Sequence, residues 1–310
     1  MGIVVIGSVF VDIKGYPLGN FVATGRNAGR VIQVHGGVSR NVCEDIANVE
    51  LRPTFISLVD ETGIGRDVIE QLKRHKINTK YIRAVPEGMG TWLAVFDSSG
   101  DVAASISRRP DLREIDNILD TYGDEIFKDA DSVVVEFDME RSTLKRVFEL
   151  ADKYGKDVYA VVSNMSIAIA RRDLIRRNAC LVCNQQEAGI FFSEQYDHLS
   201  AEEMVDVLAE KVRQARIPRM VVTMGSEGAV YAELDGDSGI VSAMNVDVRD
   251  TTGAGDAFFA GVTMGLTYGK TIRESCMIGT RLAAAVIETK ENVCPRFLPE
   301  ELGLKGNFNN

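Results

Sequence analysis

The segment Asp250-Thr-Thr-Gly253-Ala254-Gly255-Asp256-Ala-Phe-Phe-Ala-Gly261 places a glycine-rich turn directly before an apolar helical pattern. The first N–H groups of an α-helix have no partner inside the helix, so a helix that starts at such a turn can bind an anion. The small side chains of Gly253, Ala254 and Gly255 let an anion approach the main chain closely. The segment therefore predicts a turn that binds phosphate, followed by a helical C-terminal region.

Asp256 ends this turn, at the mouth of the predicted anion site. A carboxylate in this position can accept a hydroxyl proton while the hydroxyl oxygen attacks the γ-phosphorus of a nucleotide. Asp is also common at helix starts for reasons of capping and the helix dipole alone. Taken by itself the residue leaves both interpretations open, and the rest of the chain has to decide between them.

Outside the motif, continuous apolar runs alternate with amphipathic segments of helical period. Runs that are apolar on both faces are typical of strands covered by helices on both sides. The alternation predicts one α/β domain over residues 1–310, built on a central, mostly parallel, doubly wound sheet. The predicted strands are Ile3–Ile6, Thr54–Val59, Ser132–Val135, Val158–Val162, Cys180–Cys183 and Met220–Thr223, and the predicted helices include Val68–His75, Glu140–Lys153, Ala201–Ala215, Ala257–Leu266 and Arg273–Glu288.

Two regions, approximately 12–34 and 90–107, lack the helical period. In the second region, two β-rich runs, 91–96 and 102–106, flank a turn signal at residues 97–101. We predict that both regions form a small antiparallel β-flap, a lid, beside the main sheet. The apolar face of such a flap needs to be covered by a ligand, by the main domain or by a second subunit.

Composition excludes several classes of partner. The 310 residues carry 35 Lys and Arg against 45 Asp and Glu, a formal net charge of -10, which argues against binding to nucleic acid or to an anionic membrane. Five scattered cysteines do not make a disulfide framework and favour a reducing cytoplasm. Because no run approaches the roughly 20 apolar residues that span a bilayer, we expect a soluble protein.

The 250–261 segment resembles the C-terminal signature of the ribokinase-like (PfkB) family of sugar and nucleoside kinases, Asp-Thr-Thr-Gly-Ala-Gly-Asp-x-Phe-x-x-Gly. Three more elements resemble family motifs and stand in the family's order, so that together the four cover essentially the whole chain. The resemblance implies a ribokinase-like fold and an enzyme that transfers the γ-phosphoryl of ATP to a primary hydroxyl of a sugar or nucleoside. The three elements are Gly36-Gly37-Val38-Ser39-Arg40-Asn41, Asn184-Gln-Gln-Glu187 and Thr223-Met-Gly225-Ser-Glu-Gly228.

The resemblance also implies how the acceptor is bound. Asp12 and Asn41 would hydrogen-bond substrate hydroxyls, while Gly36 and Gly37 let the sugar ring approach the backbone. Asp256 would be the catalytic base. Asp12 follows the first predicted strand, where an α/β sheet places its ligands, although a plain turn residue remains an alternative.

For the nucleotide, the resemblance implies that Thr223, Gly225 and Gly228 form the loop beside ATP. Asn184 and Glu187 would lie near the triphosphate and organise Mg²⁺ through water, since this ion keeps much of its hydration. Glu187 as an ordinary solvated helix residue is the alternative. Asp250 matches the position that helps to hold a monovalent cation such as K⁺ in the family.

Within the family, Gly-Gly-Val-Ser-Arg-Asn is closest to the form found in pseudouridine kinases, which implies a substrate of that kind. Arg40 could donate to base carbonyls or a phosphate, or it could pair with Glu44 one helical turn on. Against this subgroup, an expected Asp-Pro-Val-Ser segment is replaced by Ala160-Val-Val-Ser163, so that a carboxylate is missing.

Two further expectations complete the interpretation. Because lids of this family often pair, we expect a homodimer formed through the lid. A non-catalytic sugar- or nucleoside-binding or regulatory protein on the same fold is the alternative function. Only the absence of a carboxylate at Ala160 favours it, and the intact turn from Gly253 to Asp256 argues against it.

Overall fold

The computed structural model describes residues 2–98 and 102–305. Its strands, in chain order, are β1 (Val4–Ile6), β2 (Phe10–Pro17), β3 (Gly29–Gly36), β4 (Thr54–Val59), β5 (Ile82–Ala84), β6 (Gly90–Phe96), β7 (Val102–Arg108), β8 (Val133–Glu136), β9 (Val158–Val161), β10 (Cys180–Asn184), β11 (Arg219–Thr223), β12 (Ala229–Glu233) and β13 (Ser238–Val241). Its α-helices are α1 (Val38–Asn48), α2 (Gly63–Arg74), α3 (Glu114–Asp129), α4 (Arg141–Tyr154), α5 (Met165–Ala168), α6 (Arg172–Ile175), α7 (Gln185–Phe192), α8 (Ala201–Ala215), α9 (Ala254–Thr267) and α10 (Ile272–Ile287), with 3₁₀ turns at Ile169–Arg171, Gly225–Glu227 and Pro299–Leu302.

Within the described residues the strands form a large and a small sheet. The large sheet has the order β13-β12-β11-β10-β9-β8-β1-β4-β5. In this order, the neighbouring strands β11, β10, β9, β8, β1, β4 and β5 run parallel, whereas β12 and β13 add an antiparallel edge. The predicted α/β architecture with a mostly parallel sheet is therefore confirmed.

Helices cover both faces of the large sheet. Val4 and Ile6 pack on one face in a core cluster that includes α3 and α4. Val5, between them, points to the other face and packs in a cluster with α1 and α9. Burial on both faces explains why the inner strands appear in the sequence as continuous apolar runs.

Close helix contact fixes the position of α9, the helix that starts at the 250–256 turn. A Cβ at Gly261 of α9 would lie only 2.5 Å from the Cα of Gly279 in α10. The two helices therefore meet backbone to backbone, as the small residues of this region lead one to expect. Among the described helices, none has the length and apolarity to cross a membrane.

The small sheet has the order β3-β2-β6-β7 and contains both predicted lid regions. Its outer pairs are antiparallel, whereas the central pair β2–β6 runs parallel, because these strands come from separate parts of the chain and are not joined by a hairpin. Residues 99–101 of the predicted lid turn lie outside the described residues. Asp12 lies directly opposite Val34 on one side and Trp92 on the other, so these three share one face of the sheet.

Candidate active site

The turn from Asp250 to Asp256 leads directly into α9. Gly253 is the N-cap residue and has a φ of 84°, in the left-handed region that favours glycine. A Cβ there would lie 2.1 Å from the main-chain oxygen of Asn292. At Gly255, by contrast, an added Cβ would meet only open space. The helix start is thus held by backbone contact behind it and is open in front, as an anion site requires.

Asp256 lies in the first turn of α9 and meets Asn41 of α1. The Nδ2 of Asn41 donates a hydrogen bond of 2.7 Å to the carboxylate of Asp256. Burial raises the pKa of Asp256 to about 6, with the hydrogen bond from Asn41 and the charge of Arg40 opposing the rise. A carboxyl with this pKa is ionised at neutral pH yet basic enough to accept a proton in catalysis.

The Gly36-Gly37 pair allows three segments to meet beside Asp256. Gly37 caps α1 with a φ of 102°, and a Cβ there would lie 2.9 Å from the main-chain oxygen of Ser8. A Cβ at Gly36 would lie 2.6 Å from the carboxylate of Asp12. Burial raises the pKa of Asp12, against the charges of Lys14 and Arg40. The structure therefore brings Asn41 to Asp256 and Asp12 to Gly36, where β3 leads into α1.

Arg40 takes the second of the two roles left open by the sequence. Its Nη1 pairs with Glu44 Oε1 at 2.9 Å, and both side chains are only 1% exposed. The guanidinium is thus occupied by protein acceptors, although Arg40 also lines the cleft beside Asp250 and Asn292. A direct contact between Arg40 and substrate stays a prediction.

Asn184 and Glu187 form a reciprocal cap at the start of α7. The side chain of Asn184 accepts from the N–H of Glu187 at 2.8 Å, and Glu187 Oε2 accepts from the N–H of Asn184 at 2.9 Å. Burial raises the pKa of Glu187, and the charge of Asp138 adds to the rise. Glu187 is therefore not a freely solvated helix residue, and its capping bond uses Oε2.

A cleft beside the anion turn contains the predicted nucleotide loop. Gly225 and Gly228 have φ values of 58° and 99°, and a Cβ at Gly228 would lie 2.1 Å from the main-chain oxygen of Val241. Together with Thr223 and Gly255 they line a cavity of about 230 Å³, whose other walls include Met244 and Phe258. A largely apolar pocket that ends at a helix start has the form expected for a purine next to its phosphates.

Sequence reasoning missed two carboxylates at the end of β8. Asp138 accepts from Arg109 Nη2 at 3.0 Å and from Ser163 Oγ at 2.7 Å. Glu136 is buried and accepts from Ser8 and Ser39. Burial raises the pKa of Glu136, against the hydrogen bonds from Ser8. Both residues follow an apolar strand run, which is the signal that would have revealed them, since α/β sheets bind ligands at the carboxyl ends of strands.

Ala160 lies inside a strand and not at the site, where the missing carboxylate was expected. It is fully buried within β9 and packs in the core. Asp138 lies at the end of the neighbouring strand β8 and is bonded to Ser163. The edge of the sheet near Ser163 therefore does have a carboxylate, and the argument for a non-catalytic protein loses its only support.

The carboxylates of Glu136, Asp138 and Glu187 fit a divalent ion that keeps its water shell better than one held by protein ligands alone. Within the described ranges, no group of three or more His, Cys, Asp or Glu side chains is arranged to hold a metal. The charges of Asp138 and Glu187 act on each other, and those of Glu136 and Glu187 act on Asp256. Mg²⁺ commonly uses one or two carboxylates together with water and substrate phosphates, so these residues fit the ion in the way that the motif predicts.

Comparison with known proteins covers nearly the whole chain. A family model described as pfkB family carbohydrate kinase matches residues 2–294. The guanosine-inosine kinase of Exiguobacterium acetylicum is 33% identical over 292 residues, which make up 94% of this chain and 95% of that protein. The pseudouridine kinase of Escherichia coli strain K12 is 24% identical over 279 residues, 87% of each protein.

Solved structures agree with this assignment. The ribokinase of Arabidopsis thaliana, complexed with ribose and ATP, superposes with a TM-score of 0.81 at 20% identity and covers 97% of each chain. The ribokinase-like fold and the kinase predicted from four motifs are thus confirmed. This chain belongs to the pfkB family of carbohydrate kinases.

Proposed function

We propose that this kinase transfers the γ-phosphoryl group of ATP to the 5′-hydroxyl of a ribonucleoside. The observation that carries the proposal is the carboxylate of Asp256, with a pKa of about 6, at the open start of α9 and between Asn41 and the cavity beside Gly225. In this position a carboxylate can take the proton of an attacking hydroxyl while the helix start faces the transferring phosphoryl group.

Each group at the site has a part in this reaction. Asp12 and Asn41 hold the hydroxyls of the ribose, and Gly36 and Gly37 allow the ring to approach the backbone. The N–H groups from Gly253 to Asp256 stabilise the charge on the phosphoryl oxygens. Glu187 and Asn184 would hold Mg²⁺ through water, and the ion would supply charge that neutralises the phosphates.

The lid supports a nucleoside as the acceptor in preference to a bare sugar. Trp92 lies directly beside Asp12 on the same face of the small sheet. Phe96 follows on that face, in edge contact with Trp92 at 6.4 Å and stacked on Tyr16 at 4.8 Å. A row of aromatic rings next to a ribose site offers stacking for a base, which a free pentose does not need.

Among nucleosides, guanosine and inosine are the first candidates, because the relative at 33% identity is named for them. Pseudouridine is the second candidate, favoured by the Gly-Gly-Val-Ser-Arg-Asn form of the first motif. All three bases carry a ring N–H beside a carbonyl. Because Arg40 pairs with Glu44, the support for pseudouridine is the form of the motif and not a base contact by Arg40.

A turnover panel tests the proposal. The protein is incubated with Mg-ATP and guanosine, inosine, pseudouridine, adenosine or ribose, and ADP release is measured. The highest kcat/KM is expected with guanosine or inosine. A preference for ribose over every nucleoside would contradict the nucleoside proposal, and no ADP with any acceptor would favour the binding-protein alternative.

Trp92→Ala sharpens the panel, because loss of base stacking is worth on the order of 1 kcal/mol or more. We expect the KM for the preferred nucleoside to rise about 10-fold, while the weak activity on ribose stays the same. An equal change for both acceptors would mean that Trp92 supports the lid and not the base.

The lid also supports a homodimer. Its face opposite to Asp12 carries Val31, Leu93 and Ile106, which are 71%, 41% and 71% exposed. Exposed apolar patches of this kind commonly mark protein interfaces. In sedimentation experiments we expect a dimer that Ile106→Glu converts to a monomer, whereas Ile190→Glu on α7 leaves it intact. A monomeric parent protein at micromolar concentration would rule the dimer out.

We also propose that the kinase acts in the cytoplasm and that Asp250 helps to hold a monovalent cation. All five cysteines are free and buried, which suits action in a reducing cytoplasm. Asp250 accepts from the N–H of Thr252 at 2.8 Å, in the same turn as Gly253, which packs on the Asn292 carbonyl. Carboxylate and carbonyl oxygens are the ligands that hard cations prefer. Activity measured in K⁺ against a large organic cation tests this assignment.

A further inference from the structure

Arg40 is a buried arginine that joins several segments around the base. Its guanidinium meets four acceptors: Glu44 Oε1 at 2.9 Å, the main-chain oxygen of His35 at 2.7 Å, the main-chain oxygen of Gly36 at 3.4 Å, and Oδ1 of Asn41. His35 and Gly36 are the last residues of lid strand β3. One side chain therefore contacts the root of the lid, its own helix α1 and the amide that bonds to Asp256.

The side-chain amide of Asn41 can face Asp256 with either its oxygen or its nitrogen. Arg40 can only donate hydrogen bonds, so the Asn41 oxygen must face Arg40 and the Nδ2 must face away from it. In this orientation Nδ2 donates to Asp256 at 2.7 Å. A flipped amide would present its oxygen to the Asp256 carboxylate, and two acceptors would then face each other. Arg40 thus determines that Asn41 faces the base with a donor and not with an acceptor.

Glu44 allows the Arg40 guanidinium to be buried, because it supplies the opposite charge. A buried guanidinium without a partner is strongly destabilising, whereas a paired and fully hydrogen-bonded one is tolerated. Glu44 is itself 1% exposed and takes further weak contacts of 3.4 and 3.5 Å from Gln71 Nε2. Gln71 Oε1 in turn meets His35 Nδ1 at 2.9 Å. The pair is therefore held from both α1 and α2.

Charge adds a second effect on Asp256. Asn41 and Arg40 of α1 stabilise its ionised form, whereas burial and the carboxylates of Glu136 and Glu187 oppose ionisation. Asp45 of α1 is also an electrostatic neighbour of Asp256. Among these groups Arg40 is the cation, so its removal would favour the protonated acid.

We propose that Arg40, held by Glu44, is the positioning residue of the catalytic base: it fixes the amide of Asn41 so that Nδ2 donates to Asp256. The proposal rests on Asp256 being the base of the proposed kinase reaction. Arg40 acts through Asn41 and touches neither substrate nor nucleotide. This role also accounts for an arginine directly before the asparagine of the Gly-Gly motif in this chain.

The test uses variants that leave no stranded charge in the core. Arg40→Gln combined with Glu44→Gln removes both charges, and the matched control, Arg219→Gln combined with Glu233→Gln, removes a 2.7 Å pair far along the large sheet. We expect the first double variant to lower kcat about 10- to 100-fold, since small misplacement of catalytic groups has effects of this size. The acid limb of the pH profile should move up by about half a pH unit or more.

Arg40→Lys separates orientation from charge. The lysine keeps the positive charge but cannot reach Glu44, His35 and Asn41 together. We therefore expect a lower kcat with the acid limb close to its parental pH. Circular dichroism and thermal melting of each variant establish that it is folded before its kinetics are compared.

Three outcomes would overturn the positioning role. One is a folded Arg40→Gln/Glu44→Gln variant with parental kcat and acid limb. Another is a rise in the nucleoside KM with kcat and the acid limb unchanged, which would mean that Arg40 serves acceptor binding and not the base. The third is an equal shift in the Arg219→Gln/Glu233→Gln control. If instead Asp256→Asn keeps parental turnover, it is the proposed base that fails, so the two failures are distinguishable.

Discussion

Two helices near the active site, α7 and α9, begin in opposite ways. At α7, Asn184 and Glu187 bond to each other's backbone N–H groups and close the helix start with the chain's own atoms. At α9, the N-cap residue is Gly253, and within the described structure no side chain bonds to the first N–H groups as a cap. The space beside Gly255 is open. The comparison separates a helix start that stabilises the fold from one that is left available for a ligand.

The largest effect is expected from Asp256→Asn, which removes the acid at the open start. We expect kcat to fall by about 10²- to 10⁴-fold, the usual contribution of a general base, with ATP binding largely retained. The measurements are steady-state turnover and calorimetric titration with ATP. Parental turnover would remove Asp256 as the base.

The same variant should show what the open start costs the fold. The folded pKa of Asp256, about 6 against 3.8, means that its ionised form destabilises the folded state above pH 6 and that the cost disappears below pH 3.8. Asp256→Asn should therefore be more stable than the parent at pH 8, by on the order of 1 to 3 kcal/mol. Melting curves from pH 8 to pH 4 should show the difference shrinking.

Gly253→Ala breaks the open start from behind. The new Cβ has to enter a left-handed conformation and displace the Asn292 carbonyl at 2.1 Å, so we expect about a 100-fold loss of kcat and a lower melting temperature. Gly269→Ala is the matched control, because Gly269 has a φ of 80° with open space around it. A control with an equal loss of activity would contradict this explanation.

Glu187→Gln tests whether the closed start of α7 also serves the reaction. Glutamine keeps an oxygen that can accept from Asn184 but loses the charge. We expect the Mg²⁺ concentration for half-maximal activity to rise about 10-fold, with stability changed by less than about 0.5 kcal/mol. Unchanged metal dependence would leave Glu187 as a cap alone.

The smallest effect is expected at α10, which is closed by Thr271 and Glu274 in the same way as α7. Thr271→Ala should cost about 1 kcal/mol of stability and leave kcat at the parental value. Chemical denaturation and turnover assays measure the two quantities. A fall in kcat would mean that the closed start of α10 also serves the reaction.

Much of the fold was predictable because burial leaves a signal in the sequence. The inner strands such as Val4–Ile6 and Thr54–Val59 are apolar on both faces and appear as continuous runs. Edge strands leave a weaker pattern: β5 has only three residues, and in β13 only Val241 is buried. The parallel pairing of β2 and β6 is likewise a long-range feature that no local pattern encodes.

The candidate site was predictable where a backbone conformation requires glycine and not where a side chain chooses its partner. Gly253 and Gly37 could be recognised because their positive φ and tight contacts admit little else. Whether Arg40 turns toward a ligand or toward Glu44 depends on burial that only the assembled fold creates. The position of Asp138 after an apolar strand run was readable, but its partners, Arg109 and Ser163, come from distant segments and were not.

The hydrogen bond between Asn41 and Asp256 joins residues that lie 215 positions apart in the chain. Behind Asp256, the Gly253 turn packs on Asn292, and the N–H of Cys294 bonds to Asp45 of α1 at 2.6 Å. During synthesis from the N-terminus, the acceptor side therefore waits for nearly the whole chain before its base arrives. A nascent chain that ends before residue 292 already contains Asp12, Asn41 and Asp256, but it lacks the Asn292 contact behind Gly253 and the Cys294 bond to α1.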